Sequence, residues 1–468
     1  MRYIFVCLLV IVLGCSSKQD RDLTFIGGRI VNPSSGYVTL EHNDEIIDTI
    51  PLDAQNNFRY EFFQDEESIY TFKHYPESQN LYLKPGDSTV LRVNTLEFDE
   101  SLSFGGNSSE ENNFLINMFL LNEHDNDLIL SYYKISPQRF VEETDSIMNL
   151  RFQNFDNLKL DSDFTPFFEN IAENTIKYEH YDMRERYAFL MKKYVPNKFE
   201  EFPEDYFDYR KEVNFNDQDL VSNFSYMRFL DNYLRNKSIE LCETENRECF
   251  DLNDHQNLKR RLNLVHELFD NEYLKSNFFD RLIRRGIVFS RTEKQLDETL
   301  AIIQKFDLPA LDEEELHYLT SIQNKYLVGR DLKHLKLRTP GLDTVQLHEI
   351  SEDNPTVIHT WSALSYKSKK NNLKKIKELR KKYPEFNFIS ANLDYQNPSL
   401  WKNALKRFDF PHLTELQVIS DVPNNTYGFF KNYLNRVYII NKNYVLTSNS
   451  LSLFDPKLES QILEVLNQ

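Results

Sequence analysis

The spacing of apolar residues changes twice along this chain, and those two changes limit its fold more than any other feature. From about Asp22 to Gly106, runs such as "FRYEF" and "TVLRV" alternate apolar with polar residues, the period of strands that have one buried and one wet face. Turn clusters "NPSSG", "DAQNN" and "KPGD" separate the runs, which predicts a small sandwich or barrel. From about Ser108 to Leu327 the apolar residues recur every three or four positions, as in "LVSNFSYMRFLDNYLRN", and predict helices. The Phe, Tyr and Leu stripes of this stretch are read as the core of a helix bundle.

From about Gly329 onward both periods occur in turn: strand, helix, strand, helix, strand pair, helix. "TVIHTW" is a candidate buried strand, Leu373, Ile376 and Leu379 mark the inner face of the next helix, and "FNFISANLD" is a second strand. Asn397-Pro398 opens a helix through Trp401, with Asn as its cap, and Asp455-Pro456 caps the last helix. Two strands joined by a helix imply a right-handed βαβ unit. The expected fold class is therefore multidomain: an all-β sandwich or barrel over 22–107, an all-α helical domain over 108–328, and an α/β domain over 329–468.

Charge and composition exclude several chemistries. A net charge of -18 argues against nucleic acid, whose phosphates need a basic surface. With 11 glycines in the chain, and neither G-x-G-x-x-G nor a Walker A pattern, nucleotides are not expected. His180 and His266 lack a second histidine at ligand spacing, "HEIS" and "HELF" do not complete H-E-x-x-H, and no metal or other cofactor is implied.

Ile4 to Leu13 form an apolar core behind Arg2, too short to span a bilayer and typical of a secretory signal. Val12-Leu13-Gly14-Cys15 resembles the lipobox of bacterial lipoproteins. That resemblance implies a signal peptide over 1–14, lipidation of Cys15, a tether over 15–21, and a membrane anchor in the bacterial envelope, facing the periplasm or the cell surface. Of the remaining cysteines, Cys242 and Cys249 in "LCETENREC" are candidates for one local disulfide. Glu243, Glu245 and Glu248 disfavour the thiolate that a redox role would need.

The C-terminal pattern resembles the thioredoxin-like domain of TlpA-type envelope proteins of the Bacteroidetes. In that family a strand ends in Phe-Trp-Ala-x-Trp, Cys-x-x-Cys opens a helix, "N-L-D" precedes a helix with Trp, and Pro-Arg precedes "Y-I-L-I-D". Here the first reads Thr360-Trp361-Ser362-Ala363-Leu364, and the third Asn392-Leu393-Asp394 with Trp401. "LYLKPGDSTVLRVNTLEFDESLSFGGNSSEENNFL" is similar to the segment ahead of the helical region in the same proteins.

Carried over by position, the thiols of the family fall on Ser365 and Ser368, and its cis-proline on Asn435. Serine has no ionisation comparable to a thiol and cannot exchange disulfides. Either serine could instead cap the helix. A cis bond before Asn435 would cost about 2.5–4 kcal/mol, so a trans peptide is expected there. A serine hydrolase would need a base and an oxyanion site, and nothing resembles G-x-S-x-G, so His359 is read as a packed strand residue. Lys369, Lys370, Lys374 and Lys375 form either a solvated helix face or a docking patch for an acidic partner or anionic head groups. The leading expectation is a lipid-anchored, non-catalytic binding or scaffolding protein for an unidentified envelope protein or peptide; the alternative is a TlpA-like thiol-disulfide oxidoreductase in envelope redox homeostasis.

Overall fold

The computed structural model describes residues 23–43, 45–242, 247–306, 313–363, 366–395, 397–407, 414–419 and 432–467. The lipobox with Cys15, and Ser365, lie outside the described residues. Among the described residues no helix is long and apolar enough to cross a membrane.

The chain packs as two compact units that do not follow its order. The first comprises residues up to Asn126 with Arg151–Ile176 and Ser222–Phe224; the second holds Asp127–Leu150, Lys177–Val221 and Ser225–Gln468. Packing joins the later helices to the C-terminal sheet in one unit.

In the first unit, β1 (Leu23–Val31), β4 (Asn57–Phe63), β7 (Ser88–Asn94) and β8 (Ser103–Gly106) form one sheet in the order β4-β1-β7-β8. The strands β2 (Tyr37–His42), β3 (Glu45–Pro51), β5 (Ser68–His74) and β6 (Glu77–Leu83) form a second, in the order β3-β2-β5-β6. "LYLKPGDSTVLRV" is thus two strands in different sheets, broken at the Pro-Gly turn. Ile26, Ile30 and Leu91 from one sheet and Leu40, Phe72 and Leu81 from the other share a core, which makes the pair a sandwich. A short helix α1 (Phe98–Ser101) closes it with Phe98.

Helices α2 (Ser109–Leu130), α3 (Pro137–Asp161) and α4 (Pro166–Tyr194) contribute residues to both units. The second unit continues from Ser225 through the rest of α5 (Phe224–Glu240) and through α6 (His255–Leu268), α7 (Glu272–Phe289), α8 (Glu293–Phe306) and α9 (Glu313–Lys325). Gly286 lets α7 approach its neighbours: a Cβ there would lie 2.5 Å from Leu258 and 2.7 Å from Thr299. The expected aromatic core is present, with Phe140 stacked on Tyr187 at 3.9 Å and Tyr178 edge-on to Tyr226 at 4.7 Å.

The C-terminal part holds β9 (Lys336–Arg338), β10 (Thr344–Gln346), α10 (Leu347–Ser351), β11 (Thr356–Trp361), α11 (Tyr366–Lys382), β12 (Asn387–Asn392), α12 (Pro398–Arg407), β13 (Thr414–Val418), β14 (Arg436–Ile440), β15 (Leu446–Ser452) and α13 (Leu458–Leu466). Their sheet runs β10-β9-β13-β12-β11-β14-β15. The strands β11, β12 and β13 are parallel, β14 is antiparallel to β11, and β15 is antiparallel to β14. A βαβ unit beside an antiparallel hairpin, with helices on both faces, is a thioredoxin-like arrangement.

The strands β9, β10 and β13 and helix α10 were not expected. Three to five residues give too little periodicity to separate a short strand from a loop. Asn397 does accept from the Leu400 N–H at 3.0 Å, the cap geometry expected for α12. At α13 the expectation is corrected: Lys457 is the cap, and Asp455 instead accepts from the Lys457 N–H at 2.8 Å in the turn before it.

Candidate functional site

Every residue of β11 is buried, because both faces of its sheet are covered. Val357 packs with Ile376 and Leu379 of α11 and Ile462 of α13, while Ile358 packs on the opposite face with Ile389, Leu416 and Tyr438. The turn after β11 is held by one carboxylate. Asp394 accepts from Ser362 Oγ at 2.5 Å, the Ala363 N–H at 2.7 Å and Asn392 Nδ2 at 2.8 Å. Gln417 then donates to Asn392 at 3.2 Å and to the Asp394 carbonyl at 2.9 Å. The family-like "N-L-D" segment therefore serves here as a clamp on the turn that opens α11.

Ser368, Lys369 and Lys370 lie on the first turns of α11. Asn435 adopts a left-handed conformation at φ 59°, donates its N–H to the Thr360 carbonyl at 3.2 Å, and accepts from Asn372 Nδ2 at 3.0 Å. Thr360 ties the same segment a second time: its hydroxyl donates to the Tyr433 carbonyl at 2.5 Å and accepts from the Arg436 N–H at 2.9 Å.

His359 is buried, and neither ring nitrogen has a hydrogen-bond partner among the described residues. Burial pushes its pKa down to about 3, so the ring is neutral at physiological pH. Among the described residues no hydroxyl reaches either nitrogen, so no serine–histidine pair is formed there.

The lysine patch divides. Lys374 is exposed, whereas Lys375 is half-buried and pairs with Glu459 of α13 at 3.2 Å. Lys382 and the Tyr383 hydroxyl also bind Glu459, so part of this basic face is spent on holding two helices together. Cys242 and Cys249 are joined as a disulfide with Cα atoms 6.1 Å apart.

One feature escaped sequence reasoning altogether. A cavity of about 230 Å³ lies between α9 and the sheet, lined mostly by apolar groups and by Tyr318, Tyr326, Thr360, Tyr433 and Tyr438. Burial raises the pKa values of Tyr326, Tyr433 and Tyr438, keeping those hydroxyls neutral. Such a wall can hold an apolar or aromatic group and offer it hydrogen bonds, but it supplies no ionised nucleophile. No local signal marks it, since Thr360 and Tyr433 come from strands and loops far apart in sequence.

No protein-family model matches the chain, and no curated protein is similar to it. Among solved structures, the thioredoxin domain of a thiol-disulfide oxidoreductase from Bacteroides vulgatus is 10% identical, covering 29% of this chain and 96% of its own, with a TM-score of 0.23. A thiol-disulfide oxidoreductase from Bacteroides fragilis is 14% identical over 29% of this chain and 99% of its own, also with a TM-score of 0.23. The thioredoxin-like fold is read here from strand order and direction.

Proposed function

We propose that this chain is an envelope lipoprotein, anchored through Cys15, whose thioredoxin-like domain binds or scaffolds another envelope protein or peptide without disulfide exchange. The observation that carries this reading is the placement of its thiols. Cys242 and Cys249 are bonded to each other between α5 and α6, while the sequence positions that resemble a redox pair are Ser365 and Ser368. Supporting it are the Asp394 clamp on the preceding turn and the tyrosine-lined cavity beside Thr360, a pocket suited to an apolar or aromatic side chain of a partner.

The test is insulin reduction by the full chain. No turnover above the uncatalysed rate is expected; turnover that disappears on mutating Cys242 or Cys249 would establish the oxidoreductase alternative instead. Capture from membranes with the lipidated protein would then identify the partner. In that capture, Lys369, Lys370, Lys374 and Lys375 changed together to Glu should release an acidic partner, and unchanged recovery would remove the lysine face from the binding surface.

A further inference from the structure

Helices α5, α6 and α7 bring together four arginines and one carboxylate. Asp231 of α5 accepts from Arg281 Nη2 at 2.9 Å through one oxygen and from Arg235 Nη2 at 3.3 Å through the other. Arg261 and Arg285 are the next charges acting on that carboxylate. Their own hydrogen bonds go to neutral groups: Arg261 donates to Asn257 at 3.0 Å and to the Leu252 carbonyl at 2.6 Å, and Arg285 donates to Asn253 at 2.8 Å. Neutral acceptors satisfy N–H groups but leave the charge uncompensated.

The imbalance is visible at several atoms. Arg261 is buried, and burial pushes its pKa down to about 9; Asp231 opposes that shift, while Arg285, Arg235 and Arg281 add to it. Although burial alone would raise Asp231, the four guanidiniums hold it below the ordinary carboxylate range. The Nε of Arg235 is buried without a hydrogen-bond partner among the described residues. Arg436 adds a further guanidinium nearby, without a carboxylate partner among the described residues, 3.9 Å from the Phe289 ring centre, with that of Arg285 5.4 Å from the same ring centre. All this lies in a chain of net charge -18, so it is no sample of a generally basic surface.

The cluster is also reachable. The Arg281 side chain is 50% exposed, and those of Arg235 and Asp231 are 28% exposed. Guanidinium forks match tetrahedral oxyanions in geometry and give charge-assisted hydrogen bonds.

We propose that Arg235, Arg261, Arg281 and Arg285 form a binding site for a small oxyanion of the phosphate or sulfate class, with Asp231 occupying part of the site when it is empty. This site is independent of the thioredoxin-like reading.

Titration calorimetry of the full chain with inorganic phosphate and with sulfate, at ionic strength fixed by chloride, tests it. Saturable binding is expected, weakened at least about tenfold by Arg281→Gln with Arg285→Gln. Asp231→Asn should tighten binding severalfold, because it removes the internal competitor; a purely structural cluster would gain nothing. Arg281→Gln alone, at a half-exposed side chain, should keep the fold and still weaken binding. Titration with glucose 6-phosphate separates the free ion from an organic ester, and tighter binding of either supports the site. Absence of saturable binding, or equal binding by wild type and the double variant, overturns it.

Discussion

The guanidinium carbon of Arg436 lies 3.9 Å from the centre of the Phe289 ring, and its Nη1 donates to the neighbouring Val288 carbonyl at 2.7 Å. A residue at the start of β14 thereby grips the last turn of α7. Among the described residues its Nε and Nη2 make no hydrogen bond, so its hold on α7 rests on stacking and on the Val288 bond, while Nη1 also reaches the Asn449 carbonyl at 3.5 Å. Arg436→Ala removes both and leaves a void, with an expected loss of about 3 kcal/mol. Arg436→Met refills the volume without the buried charge and should recover at least half of that loss in urea denaturation.

His359 predicts an acid-sensitive fold. Burial lowers its folded pKa to about 3 from the ordinary 6.5. The unfolded chain therefore takes up a proton that the folded chain refuses. The associated stability is complete above pH 6.5 and lost as the pH falls through about 3, with a slope of up to ~1.4 kcal/mol per pH unit. His359→Leu should flatten the stability profile in this window. An unchanged profile would mean that the ring is protonated in the folded protein.

Asp394 predicts a graded pair of losses. Asp394→Asn places an amide against the donors of Ser362, Ala363 and Asn392 and should destabilise by about 2–3 kcal/mol. Ser362→Ala removes one donor and leaves two, with an expected cost of about 1 kcal/mol. Denaturation midpoints that rank the other way would show that the carboxylate does not hold this turn.

The Cys242–Cys249 bond closes a loop with a sequence separation of 7. A loop this short predicts about 2–3 kcal/mol of stabilisation through the unfolded chain. Cys242→Ser with Cys249→Ser should lower stability by that amount, and reductant should do the same to the wild type while leaving the double variant unaffected.

Much of the architecture was legible in the sequence, because strands and helices reveal themselves through local period. "TVIHTW" read as a buried strand is buried throughout, and the Asn397 cap holds the helix it was expected to open. The misses have physical causes. The short strands β9, β10 and β13 are stabilised by pairing with remote partners, which leaves no period behind. Lys375 read as free for docking because nothing local signals that Glu459, 84 residues later, lies 3.2 Å away.

By itself the sequence determined the types and order of the longer elements, and that positions 365 and 368 carry serine hydroxyls, which cannot act as thiolates in any fold. The tertiary structure alone decided which groups face one another: Thr360 and Tyr433 beside a cavity, His359 without a hydrogen-bond partner among the described residues, and arginines from three helices around Asp231. Those outcomes depend on through-space distance and on loss of water, and neither leaves a trace in the spacing of residues along the chain.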